Sequence, residues 1–100
     1  MFVHNVFFWL KDDLSDSDRA AFVRGLDNLL SIETIERAYK GVPAETDRPV
    51  IDRSYSYGVS VVFRDKVAHD AYQTHPKHDA FRDGCAKYWQ KVLIYDFTEP

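Results

Sequence analysis

Hydrophobic and polar positions along the chain follow two periods, one near two and one near 3.6, and they alternate in blocks. Phe2 to Leu10 sets His4, Val6, Phe8 and Leu10 against Val3, Asn5, Phe7 and Trp9, which predicts a strand covered on both faces, because both sets are mostly apolar. Ser15 followed by Asp18 is a helix-start signature, and the helix runs to about Leu30 with Phe22, Leu26, Leu29 and Leu30 as its apolar stripe. Ile35 to Val42 reads as a weaker edge strand carrying Glu36, Arg37 and Lys40. Pro43 to Arg53 has no periodicity and is the long loop of the chain.

Ser54 to Phe63 is the clearest strand, with Tyr55, Tyr57, Val59, Val61 and Phe63 on its large face. A helix follows from about Asp65, with Val67, Ala68, Ala71 and Tyr72 inward and His69 on the solvated side with Lys66 and Gln73. His75-Pro76 breaks it, because the residue before a proline is driven out of the α region, and Pro76 opens a second short helix. That helix places His78, Phe81 and Cys85 on one face. Trp89 to Phe97 returns to a strand, with Trp89, Leu93, Tyr95 and Phe97 on one face and Gln90, Val92, Ile94 and Asp96 on the other.

The order β-α-β-β-α-β over residues 1–100 predicts a single α+β domain of the ferredoxin-like type, a four-stranded antiparallel sheet with helices on one face. Helices on one face leave the other open, while the first and last strands are apolar on both. A homodimer formed through the open face resolves the mismatch. Composition points the same way: 45% hydrophobic and 15% aromatic residues are high for a 100-residue chain with a modest core.

A net charge of -3, with both signs scattered, offers no basic stripe for phosphates, so no nucleic-acid partner is expected. The single Cys85 forms no intramolecular disulfide, and no CxxC or Cys/His zinc spacing exists, which fits a reducing compartment. The apolar Phe2 to Leu10 stretch lacks a basic start and a cleavage site and ends at Lys11-Asp12-Asp13, far short of a membrane span. These features predict a cytoplasmic protein with no membrane association. No Gly-rich phosphate loop, nucleophile elbow or dinucleotide fingerprint occurs, and no cofactor is expected.

Four polar side chains, His4, Tyr72, His78 and Asp96, fall on otherwise apolar faces. Brought together they make a polar cluster in a dry pocket, where a neutral imidazole is a competent base and a phenol donates to a developing oxyanion. His78 and Tyr72 are the catalytic candidates. His4 and Asp96, with Val6, Phe8, Val59 and Phe81 as apolar walls, are the substrate-binding candidates, and Asp96 or His4 is expected to orient the His78 ring. The same residues serve equally as a fold-locking hydrogen-bond network without catalysis. His75, before the proline, reads as a cap at the helix break. A metal site built from His75, His78, His4 and Asp96 is not expected, since H-x-x-H across a proline is not a ligand spacing.

The opening strand with His4, the segment Tyr72 to Phe81 (YQTHPKHDAF) and the ending Trp89 to Phe97 (WQKVLIYDF) together resemble the stress-responsive dimeric α+β barrel proteins, the Dabb family, over nearly the whole chain. The resemblance implies a homodimer with a cavity between each sheet and its helices. Within that family the chain is similar to plant polyketide cyclases of the olivetolic acid type, which close a linear tetraketide thioester by an aldol condensation with carboxylate retention. It implies His78 as the base that takes an α-proton and Tyr72 as the oxyanion donor, with His4 and Asp96 as supporting pocket residues. The chain departs from them at Ala21 and Gly25, where those cyclases present a Phe and a Tyr to an alkyl-chain pocket. Three functions therefore stand: a cofactor-independent cyclase or lyase acting on a small hydrophobic polyketide-like carbonyl compound, a non-catalytic stress-associated binding or structural dimer, and a cofactor-free monooxygenase of the dimeric α+β barrel type.

Overall fold

The computed structural model describes residues 1–100 and contains strand β1 (Phe2–Leu10), helix α1 (Asp16–Leu29), strands β2 (Arg37–Gly41) and β3 (Tyr57–Phe63), helices α2 (Lys66–Gln73) and α3 (Pro76–Cys85), a 3₁₀ turn at Ala86–Tyr88 and strand β4 (Trp89–Thr98). The strands form one antiparallel sheet in the order β2-β3-β1-β4, the ferredoxin-like arrangement. The helix starts follow the sequence chemistry. Ser15 accepts from the Asp18 amide while the Asp18 carboxylate accepts from the Ser15 amide, a reciprocal capping box. Asp65 caps α2 through the Ala68 amide, and His75 caps α3 ahead of Pro76.

The core lies between the sheet and the helices, where Phe22, Leu26 and Leu29 of α1 meet Val6, Phe8, Val59, Val61 and Phe63 of the sheet. Aromatic edges organise it: Phe8 contacts Phe22, Phe81 and Trp89 at ring separations of 5.2, 5.8 and 5.3 Å. The outer face of the sheet carries no helix, and only Tyr55, packed on Phe7 and Trp9 at ring separations of 5.0 and 6.4 Å, covers part of it. On it Tyr95, Phe97 and Tyr39 remain 60%, 56% and 56% exposed.

Three expectations are corrected. Strands β2 and β3 are shorter than predicted, Arg37–Gly41 and Tyr57–Phe63, because pairing between them ends at Gly41 and Gly58. Trp89 belongs to the helix face rather than the outer face: a register shift between Trp9 and Leu10 adds a residue to β4 and turns the indole onto Phe8 and Phe81. Helix α2 is rotated from its predicted face, leaving Val67 77% exposed and Ala71 outside while His69 is buried. The cause is local, since the His69 ring stacks on Phe2 at 4.2 Å and meets the edge of Phe63, a flat aromatic surface that Val67 could not cover as fully. No helix is long and apolar enough to cross a membrane.

Candidate functional site

Between the sheet and helices α2 and α3 lies a cavity of about 190 Å³. Val6, Phe8, Val59 and Phe81 form apolar wall, and His4, Tyr72 and His78 supply its polar groups. Gln73, Arg82 and Ile94 also line it, and the exposure of Arg82 and Ile94 makes theirs the end that opens to solvent.

Sheet register assembles the first part of the site. His4 and Asp96 are direct partners across β1 and β4, with His4 Nδ1 2.5 Å from Asp96 Oδ1. A carboxylate can only accept, so Nδ1 carries the proton and Nε2 keeps its lone pair. Burial holds the His4 pKa below its ordinary value, opposed by the hydrogen bond and charge of Asp96.

The two helices supply the second part. Tyr72 is 1% exposed near the end of α2, and the break at His75-Pro76 turns α3 so that His78 packs edge-on against the Tyr72 ring, centroids 5.1 Å apart. The same Tyr72 ring meets His4 at 5.8 Å, so it touches both imidazoles. Burial alone drives the Tyr72 pKa far upward, which keeps the hydroxyl protonated and able to donate at any physiological pH. The His78 pKa is lowered by burial first and by the Arg82 charge second, which leaves the ring neutral at pH 7. Its Nδ1 is buried without a hydrogen-bond partner, so one nitrogen of the candidate base is uncommitted.

All eight residues expected at the site from the sequence lie in or against this cluster except for one detail of pairing: neither Asp96 nor His4 hydrogen-bonds to His78. Asp96 is held by His4 instead, because the sheet register sets those two opposite each other, and the His78 ring is positioned by packing on Tyr72. His75 stands outside the cavity, its Nδ1 accepting from the Lys77 amide at 3.0 Å and its Nε2 facing Glu33 at 3.1 Å. The sequence reading placed His69 in solvent, whereas its ring lies 5.1 Å from His4. The available signal was spacing, for His69 and Tyr72 at i and i+3 share a helix face. Among potential metal donors, His4, His69 and Asp96 are the set brought together.

A ferredoxin-like α+β chain with an apolar cavity on the helix side of its sheet, carrying a His and a Tyr on its wall, is the class of protein these observations define. The chain belongs to the stress responsive A/B barrel domain (Dabb) family, whose sequence profile it matches over residues 2–99. It is similar to olivetolic acid cyclase of Cannabis sativa, 26% identical over 96 residues that cover 95% of this chain and 93% of the cyclase. Among solved structures, a dimeric ferredoxin-like protein from Thermobifida fusca superposes with a TM-score of 0.78 at 19% identity, covering 98% of this chain and 90% of that one. A hydroxynitrile lyase from Passiflora edulis superposes with a TM-score of 0.77 at 18% identity, covering 99% and 96%.

Proposed function

We propose that the chain is a cofactor-independent cyclase or lyase that uses His78 as its base and the Tyr72 hydroxyl as its oxyanion donor, acting on a small hydrophobic carbonyl compound. The observation that carries this reading is the placement of a neutral imidazole and a protonated phenol side by side on the wall of an otherwise apolar cavity. His78 removes a proton from the carbon next to a substrate carbonyl, and the electron pair moves onto the carbonyl oxygen. The Tyr72 hydroxyl donates to that oxygen as its charge develops, in surroundings dry enough to make the donation strong. In the cyclase direction the enolate then attacks a second carbonyl carbon, whose π pair moves onto its oxygen, and that oxygen takes the proton from His78. In the lyase direction His78 takes a hydroxyl proton, the oxygen pair closes the carbonyl, and the electron pair of the broken carbon–carbon bond leaves on the departing carbon, which takes that proton from His78. The His4–Asp96 pair fixes one imidazole tautomer at the cavity wall and accepts from a substrate hydroxyl through the remaining ring nitrogen.

Cavity size narrows the substrate. About 190 Å³ is little more than the roughly 150 Å³ that holds a benzene ring, so one ring-sized portion of the substrate is enclosed. Any longer tail leaves by the end at Arg82 and Ile94. The activities of the cyclase and lyase relatives support this reading, because both reactions form or break a carbon–carbon bond beside an oxygen that gains charge. The chain acts as a homodimer closed through the outer face of the sheet, as supported by the apolar exposure of that face and the dimeric Thermobifida relative.

The experiment is deuterium exchange into the α-carbon of small 1,3-dicarbonyl compounds, with wild type, His78→Ala and Tyr72→Phe compared. Loss of exchange in both variants is expected, and full retention in both rejects the assignment.

A further inference from the structure

His69 is a buried ionisable group of the cluster that this reaction leaves unused. Its ring and that of His4 are 8% and 2% exposed and lie 5.1 Å apart, and the donor atoms of His4, His69 and Asp96 all fall within 4.8 Å of one another. Two imidazoles and one carboxylate from three separate elements, β1, α2 and β4, therefore converge on one point. We propose that His4, His69 and Asp96 bind a divalent transition-metal ion of the zinc type.

The donor set selects the ion. Imidazole nitrogen with one carboxylate oxygen suits zinc, cobalt, nickel or copper, whereas magnesium and calcium take oxygen shells. A tetrahedral shell with bonds of about 2.0 to 2.1 Å spaces its donors roughly 3.3 Å apart, so the His4–Asp96 pair, now 2.5 Å apart, must open while the wider separations within the 4.8 Å cluster close. Asp96 has the freedom to do so, because its side chain is 37% exposed, and the same exposure gives an ion its path from solvent.

His69 has the outer hydrogen-bond partner that a metal-bound histidine requires. His69 Nδ1 faces the Asp70 carboxylate at 3.1 Å, so that nitrogen holds the proton and Nε2 is the donor, its present partner being the neutral amide of Gln73 at 3.1 Å. Lys66 in turn pairs with Asp70 at 2.7 Å and keeps that carboxylate in place. At His4 the ion takes the place of a proton: the neutral ring changes tautomer, the proton on Nδ1 passing through solvent to Nε2, and the freed Nδ1 lone pair and the Asp96 carboxylate oxygen both turn to the metal. The site shares His4 with the cavity but does not depend on the proposed reaction, and its test reads binding alone.

The test uses the full chain stripped with a chelator and titrated with Co²⁺ by visible absorption, then with Zn²⁺ by calorimetry. The expected result is saturation at one ion per chain, cobalt d–d bands of a nitrogen and oxygen shell, and displacement of Co²⁺ by Zn²⁺. His69→Phe, which keeps an aromatic ring on Phe2, and Asp96→Asn, at a partly exposed side chain, each weaken binding about tenfold or more. His75→Ala binds as wild type does, since His75 and its Glu33 partner lie outside the cluster. The absence of saturable binding overturns the proposal. So does binding that survives His69→Phe and Asp96→Asn in chains of native circular dichroism but is lost in His75→Ala.

Discussion

At the scale of single residues the site is defined by what burial does to each side chain. Tyr72 and His78 are both pushed toward their neutral forms, which are the forms a donor and a base need. This has a consequence for stability. The folded-state pKa of His78 lies below its ordinary value, so in acid the unfolded chain takes up the proton first, and stability falls as pH drops through about 6.5 and levels off once the folded-state pKa is passed. In the presence of a chelator, the melting temperature is expected to be lower at pH 5 than at pH 7, with a smaller difference in His78→Gln; an unchanged difference in that variant contradicts the burial of a neutral His78. Sequence alone made His4, Tyr72, His78 and Asp96 visible because each interrupts an apolar face. It did not make the pairing visible, because whether Asp96 meets His4 or His78 depends on strand register and not on periodicity.

At the scale of elements, strand and helix types follow the periods of the sequence, while two rotations do not. The register shift at Trp9 and Leu10 moves Trp89 into the core, and aromatic stacking on Phe2 turns α2 so that His69 is enclosed. Both are tertiary effects that override a one-dimensional pattern, and the second hid a histidine of the cluster. Packing of α1 on α3 shows what the departure at Gly25 accomplishes. A Cβ at Gly25 would stand 2.4 Å from Cys85 Sγ, so glycine allows the helices to close and Cys85 and Phe81 fill the space. Gly25→Ala is therefore expected to destabilise wild type through overpacking of about 1 to 3 kcal/mol, set against a helix-propensity gain of about 1 kcal/mol. In a Cys85→Ala background the same change becomes neutral or stabilising. Denaturant melts of the four chains of this cycle measure the coupling, and equal effects in both backgrounds contradict it.

At the scale of the whole molecule, the sheet has one face covered by helices and one that is not. Leu93, Tyr95 and Phe97 of β4 lie with Phe7 and Trp9 of β1 on the uncovered face, too much aromatic surface for a small chain to leave in water. Sedimentation at micromolar concentration is expected to give about twice the chain mass of 11.7 kDa, and Tyr95→Lys with Phe97→Lys is expected to return it to one chain mass with the fold intact. Wild type sedimenting as a monomer at tens of micromolar contradicts the dimer. The fold was legible at this scale because β-α-β-β-α-β order permits few topologies. The cavity was not, since its volume is set by how closely helices approach a sheet, a distance that no residue pattern states.

The most direct test of the account is the rate at which wild type and His78→Ala exchange the α-proton of a ring-sized 1,3-dicarbonyl compound with D₂O, followed by NMR at pH 7. The expected rate is lower by about 10² to 10⁴ in His78→Ala, the range of a lost general base, and unchanged in His75→Ala. Equal rates in wild type and His78→Ala, both above the rate without protein, would contradict it.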